Sequence, residues 1–299
     1  MTAPQFSEPT NRWLASGEYV TAAGLETFVY ERGSGPVIIF LHGFPTSCYD
    51  WREIIDALSG SHRCIAFDFP GYGLSDKPVA YSYSLFQQAD VAVAVARSLG
   101  ISEAHLVGHD VGQSIHAELL AREQEGSLPF RVLSSTILNG STLQGHASIT
   151  SFQKLLGSNE TLPQAIAALD GLMQTYIPAL KALMKRPDCL TSEDETVMQE
   201  LLEYRDGHKR LAPLSGYMRE RLIHQDRWIG AFKAAKHPMQ IVWADGDPVA
   251  NVEMGRELSK IVSQAVYTEL KDLGHFLILE DPLTVARRIA EFIGSPLSY

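Results

Sequence analysis

The chain has 299 residues, 45% of them hydrophobic, and carries a formal net charge of -10. That is enough to bury the core of one large domain, or of a core with an inserted subdomain. The acidity argues against nucleic acid or an anionic membrane as partner, because nothing here would neutralise their phosphates.

Met1 to Trp13 lacks a basic stretch followed by an apolar one, so no signal peptide is expected. Glu18–Ala22 and Glu26–Tyr30 flank Ala23-Gly24-Leu25 and read as a hairpin. Val37–Leu41 is a continuous apolar run of the kind buried on both sheet faces. A helix over Tyr49–Leu58 and a short strand over Cys64–Phe67 follow, then the loop Pro70-Gly71-Tyr72-Gly73. Ser84 stands at a cap position before the helical spacing that runs to Leu99. A strand over Ala104–Val107, a helix over Gln113–Arg122 and a strand over Val132–Leu138 complete the alternation. Such alternation predicts an α/β fold, a mostly parallel sheet with helices on both faces.

From about Ser141 to Trp228 the strands stop, and Leu162–Met173 and Glu193–Tyr204 read as helices. Alternation resumes with Met239–Trp243, Ala265–Leu270 and a closing helix over Pro282–Ile293. The expected organisation is a core over 1–140, an inserted helical lid over 141–230, and the rest of the core over 231–299. A lid placed there would cover the strand ends, where such sheets bind ligands. Cys48, Cys64 and Cys189 lack metal-ligand spacing and read as reduced packing thiols of a cytoplasmic protein. No zinc, calcium or phosphate-loop pattern occurs, no apolar run reaches the length of a membrane span, and no cofactor is expected. Nothing in the sequence specifies an oligomeric state.

The chemistry concentrates in Gly108-His109-Asp110-Val111-Gly112, between an apolar strand and a helix. This is the setting of a nucleophile elbow, a strained turn whose middle side chain is pushed into the site and whose flanks must be small. Here the middle residue is a carboxylate. Attack by Asp110 on a saturated carbon gives an ester that water can cleave, whereas a serine would give an inert ether. The turn therefore points to displacement at an epoxide or alkyl halide more than to ester hydrolysis. Leu41-His42-Gly43-Phe44-Pro45 can aim a backbone N–H at the same place, and the N–H of Val111 can join it as an oxyanion hole. Trp243-Ala244-Asp245-Gly246-Asp247-Pro248 offers a carboxylate to orient a histidine, and Leu273-Gly274-His275-Phe276 offers the histidine.

The blocks LHGFPTS, FDFPGYGLSDKP, LVGHDVGQS, WADGDPV and LGHF together resemble the α/β-hydrolase superfamily, in its Asp-nucleophile branch of epoxide hydrolases and haloalkane dehalogenases. LHGFPTS, YDW and SDKP are also similar to the mesoderm-specific-transcript proteins. The resemblance implies Asp110 as nucleophile, Asp247 rather than Asp245 as the acid, His275 as the base, and Phe44 with Val111 in the oxyanion hole. It also implies a proton donor from the lid, for which Tyr217 is in place. No tyrosine stands near Ser151-Phe152-Gln153, where a first lid tyrosine is expected; Tyr176 and His146 are the alternatives, with His42 a further substrate contact. Val111 stands where dehalogenases place Trp, or Arg for a fluoroacetate substrate. The sequence thus favours opening of a small apolar epoxide to a diol, over a dehalogenase using the same Asp110 or a non-catalytic ligand-binding protein of this fold.

Overall fold

A computed structural model describes residues 5–143 and 175–294, with positions 155, 160, 161, 163 and 164 between them. His146, Ser151–Gln153 and most of the expected helix Leu162–Met173 lie outside the described residues.

Eight strands form one sheet: β1 Glu18–Ala22, β2 Leu25–Arg32, β3 Val37–Leu41, β4 Arg63–Phe67, β5 Glu103–His109, β6 Arg131–Leu138, β7 Met239–Ala244 and β8 Val266–Leu270. Their order is β1-β2-β4-β3-β5-β6-β7-β8. Only the β1–β2 and β2–β4 pairs are antiparallel. The tight turn at Ala23-Gly24, both at positive φ, sets the antiparallel hairpin. The central strands read as solid apolar runs because both their faces are covered; every residue of β7 is buried.

The helices are α1 Glu8–Ser16, α2 Arg52–Leu58, α3 Leu85–Ser98, α4 Val111–Gln124, α5 Tyr176–Lys181, α6 Ser192–Glu203, α7 Leu211–Leu214, α8 Tyr217–Ala234, α9 Val252–Ile261, α10 Leu277–Glu280 and α11 Pro282–Ile293. Their starts obey capping chemistry. Ser84 accepts from the Gln87 N–H at 3.2 Å, Thr191 and Asp194 close a capping box, and Asp281 accepts from Thr284 just before Pro282. The Tyr49 segment opens as a 3-10 turn, Cys48–Trp51, before α2 takes over. Helix α1 has no counterpart in the sequence reading. It is polar and proline-bearing, and is anchored by Trp13, whose ring packs on Phe28, Tyr30 and Tyr49.

The sheet order puts a switch point at β3. The chain leaves β3 to build β4 on one side, then returns to place β5 on the other. A crevice opens at the carboxyl ends of strands where such a reversal occurs. Leu41 and His109, the last residues of β3 and β5, deliver the chain to that point. Between β6 and β7 the described residues from 175 onward hold helices and turns without a strand. Of these, α8 packs along α4, the helix that follows β5.

Candidate active site

Asp110 sits between β5 and α4 with φ 49° and ψ -111°, backbone torsions that an L side chain adopts at a cost of roughly 1–3 kcal/mol. Small neighbours make the bend possible. A Cβ on Gly112 would lie 2.1 Å from the Leu41 carbonyl oxygen, and one on Gly108 would lie 2.8 Å from that of Gly112. The turn leaves Asp110 4% exposed, with its two carboxyl oxygens in different surroundings. Oδ2 accepts the Phe44 N–H at 2.9 Å. Oδ1 faces Nη2 of Arg221 at 3.4 Å. Val111 opens α4, where the first N–H groups have no acceptor inside the helix.

His275 and Asp247 meet as the sequence order suggests. His275 Nδ1 donates to Asp247 Oδ2 at 2.8 Å, and both side chains are buried. The Asp247 carboxylate is held on every side. Oδ1 accepts from the Val249 and Ala250 N–H groups at 2.7 and 2.9 Å, and Oδ2 accepts from Asn139 Nδ2 at 2.7 Å. Asn139 follows β6 and is itself fixed by the Ala244 N–H at 2.9 Å. The His275 main chain is pinned too: its N–H donates to Leu183, and its carbonyl accepts from Nε2 of His109 at 2.8 Å. Asp245, the rejected alternative, accepts instead from the Asp272 N–H and pairs with Lys271 at the surface.

Charges in this pocket are coupled. Burial alone would push the Asp110 carboxyl up, but Arg221, His275, His109 and the Phe44 N–H hold it below the usual carboxylate range. Burial pulls His275 down, yet the carboxylates of Asp247 and Asp110 outweigh it and raise it to about 9. His109 is lowered to about 4, by burial and then by the charge of His275, so it stays neutral. The raised His275 and the guanidinium of Arg221 thus both face the lowered carboxyl of Asp110.

Tyr217 begins α8 and lies over the loop that carries Phe44, its ring 5.5 Å from that of Phe44. Arg221, one turn on, stacks its guanidinium on the Tyr217 ring at 4.5 Å. It also donates to Ser114 Oγ and the Asp110 carbonyl, each at 2.9 Å. Sequence reasoning missed Arg221. The available signal was its spacing of four from Tyr217, which puts both on one helix face.

Tyr72, in the loop after β4, was missed as well. Burial, Tyr217 and Asp110 together push its hydroxyl well above the ordinary range, so it remains an O–H donor. The expected contact at His42 needs correction. His42 is buried with both ring nitrogens committed to the main chain, Nδ1 to Gly43 O at 2.8 Å and Nε2 to the Phe69 N–H at 3.1 Å. It braces the loop after β3 and offers no free ring nitrogen to a substrate. Tyr176 sits beside the Asp50 carboxylate, lining a void of about 10 Å³ with Thr46, Tyr72 and Met198. That is room for about one water. His146, the remaining candidate, lies outside the described residues.

Helix α8 is bolted to α4 below the site. Glu118 accepts from Arg227 Nε at 2.8 Å and from the Trp228 indole at 3.1 Å, with Arg122 completing the cluster. Among the described residues no cluster of three or more metal-ligating side chains occurs, and no helix is long and apolar enough to cross a membrane.

Comparison with known proteins agrees with this architecture. A family model described as the alpha/beta hydrolase fold matches residues 36–282. The LipZ protein of Mycobacterium tuberculosis is 33% identical over 96% of this chain and 97% of its own length. The mesoderm-specific transcript homolog protein of Bos taurus is 31% identical over 98% and 90%. Epoxide hydrolase 1 of Caenorhabditis elegans is 22% identical over 87% and 65%. Among solved structures, haloalkane dehalogenase DbeA from Bradyrhizobium elkani superposes with a TM-score of 0.77 at 23% identity, covering 93% of this chain and 97% of that one. At that identity the likeness speaks for the fold. The extent of the family match, joined to the sheet order and the bend at Asp110, places this chain in the alpha/beta hydrolase family.

Proposed function

We propose that this hydrolase opens a small epoxide to a vicinal diol through an ester on Asp110. The observation that carries the reading is the asymmetric setting of the Asp110 carboxyl. Oδ2 takes the Phe44 N–H at 2.9 Å, while Oδ1, with the longer 3.4 Å contact to Arg221, is the attacking atom. The similarity to a protein named epoxide hydrolase supports the same reading.

The proton inventory closes on this chain's own groups. Asp110 Oδ1 bonds to a ring carbon as the ring C–O bond breaks, and the electron pair goes to the oxygen. Hydrogen bonds from Tyr217 and Tyr72 hold the developing alkoxide. The His275 imidazolium, protonated at rest because of its two carboxylate neighbours, is the source of the proton that makes it an alcohol. Alkylation removes the negative charge of Asp110, one of the causes that raise His275. The histidine of the ester form is thereby a weaker acid-holder, neutral at the moment a base is needed. It then takes a proton from water, which attacks the Asp110 carbonyl carbon. The resulting oxyanion sits on the Phe44 and Val111 N–H groups, an arrangement worth typically about 3 kcal/mol per donor. Collapse releases the diol and restores carboxylate and imidazolium.

A mixed panel of epoxides, haloalkanes and esters tests this, run beside Asp110→Ala. Diol formation from an epoxide, abolished in the variant, is the expected result. Halide release without diol, or turnover that survives Asp110→Ala, would overturn it.

A further inference from the structure

We propose that Arg221 selects a substrate bearing a carboxylate on the carbon that Asp110 attacks, so that the epoxide taken is a 2,3-epoxy acid rather than a wholly apolar one. The inference rests on the Asp110 displacement argued above and deepens it.

Three observations lead there. The first is inventory. A guanidinium carries five N–H donors, and that of Arg221 meets three acceptors among the described residues: Ser114 Oγ, the Asp110 carbonyl and Asp110 Oδ1. Nε and Nη2 make these contacts, and the side chain is only 3% exposed.

The second is charge. Esterification turns the Asp110 carboxylate neutral, and a buried guanidinium then lies beside an uncharged group. Losing one partner of a buried pair is costly unless another anion stands alongside. A substrate carboxylate would supply that anion throughout the cycle.

The third is stereochemistry. In a backside displacement the leaving oxygen lies on the far side of the reacting carbon from Oδ1, along the line of attack. The other substituents spread sideways, close to the nucleophile. A cation 3.4 Å from Oδ1 is placed for such a lateral substituent rather than for the distant oxygen. With Nε and Nη2 committed to Ser114 and Asp110, Nη1 is the nitrogen that would meet a carboxylate oxygen. Tyr217, stacked on the guanidinium, holds its plane in position.

The step remains balanced. Oδ1 forms its bond to the carboxylate-bearing carbon and the ring C–O bond breaks. The alkoxide takes a proton from the imidazolium, and the substrate carboxylate is a spectator paired with Arg221.

The test compares oxirane-2-carboxylate with the neutral oxirane-2-carboxamide, in the wild type and in Arg221→Gln and Arg221→Lys. The wild type is expected to prefer the acid by about 10- to 100-fold in kcat/KM, the range of a charge-assisted hydrogen bond. Arg221→Gln should erase that preference and Arg221→Lys should keep part of it. Because the preference is a ratio within one variant, partial unfolding cancels. Equal use of acid and amide by the wild type, with an Asp110 adduct forming from the amide, would overturn the proposal and leave the Asp110 displacement standing. An equal loss for both substrates in Arg221→Gln would do the same, marking Arg221 as a prop for α8. No turnover and no adduct from either would overturn both readings together.

Discussion

On the sheet side of the site, the polar groups sit where the main chain leaves a strand. The bend at Asp110, the Phe44 N–H and the two N–H groups that hold Asp247 all follow a strand end within a few residues. On the opposite side, Tyr217 and Arg221 ride on an eighteen-residue helix whose position depends on distant partners, Glu118 and Ser114. The difference teaches where each kind of error would fall. A fault in the sheet half removes chemistry outright, whereas a fault in the helix half misaligns or mis-selects.

The strongest challenge to that division is Asp110→Ala. Turnover of any substrate should fall by about 10⁴-fold or more, since nothing else can form the ester, and the melting temperature should fall with it because buried Arg221 loses its carboxylate partner. His275→Gln should come next. The ester should form but persist, with hydrolysis slowed about 10³-fold and the enzyme carrying a substrate-sized adduct on the Asp110 peptide by mass spectrometry. A turned-over substrate with no adduct would count against the base assignment. Asn139→Leu removes one of the partners of Asp247 Oδ2 and should lower kcat by about tenfold while leaving KM nearly unchanged, a split that steady-state kinetics reads directly.

Smaller effects sharpen the contrast. The folded-state value of His275 lies above its unfolded value of about 6.5, so its contribution to stability is fully present below that pH and is lost as pH rises through about 9. Thermal melts of the wild type should thus weaken between about pH 7 and pH 10 by up to about 3 kcal/mol, and those of His275→Gln by less. Asp110 has the opposite sense: its depressed value adds stability above the unfolded range, lost in acid. In single turnover, hydrolysis of the ester should speed up with pH through a midpoint below about 9, because the Asp110 charge that helped to raise His275 is gone. Least of all, Arg227→Met should cost only about 1 kcal/mol. Arg227 is a third exposed, and Glu118 keeps Arg122 and Trp228. Its kinetic signature should be a raised KM, from a loosened α8, with kcat nearly intact.

The same contrast explains what could be read from the chain alone. Elbow glycines, strand runs and the order Asp110, Asp247, His275 are local patterns, and local patterns survive in one sequence. The sheet followed from them, and they marked these three groups as candidates. Asn139 was passed over because a lone Asn after a strand reads as a turn residue until Asp247 is seen beside it. Arg221 looked like one more helix charge, since only packing shows that it turns inward to Asp110. Tyr72 read as loop punctuation within Pro70-Gly71-Tyr72-Gly73. His42 erred the other way: a histidine beside an expected oxyanion loop looks available, but Phe69 and Gly43 had already claimed both of its nitrogens. Trp13 is the one buried apolar side chain of α1, too sparse an apolar spacing to mark a helix.

The central claim is that oxygen reaches the product from the enzyme and not directly from solvent. A single turnover of excess enzyme with an epoxide in ¹⁸O-water measures this. The account predicts an unlabelled first diol, its new oxygen donated by Asp110, and one heavy oxygen retained in the Asp110 peptide. Heavy oxygen in the first diol, with an unlabelled Asp110, would contradict it.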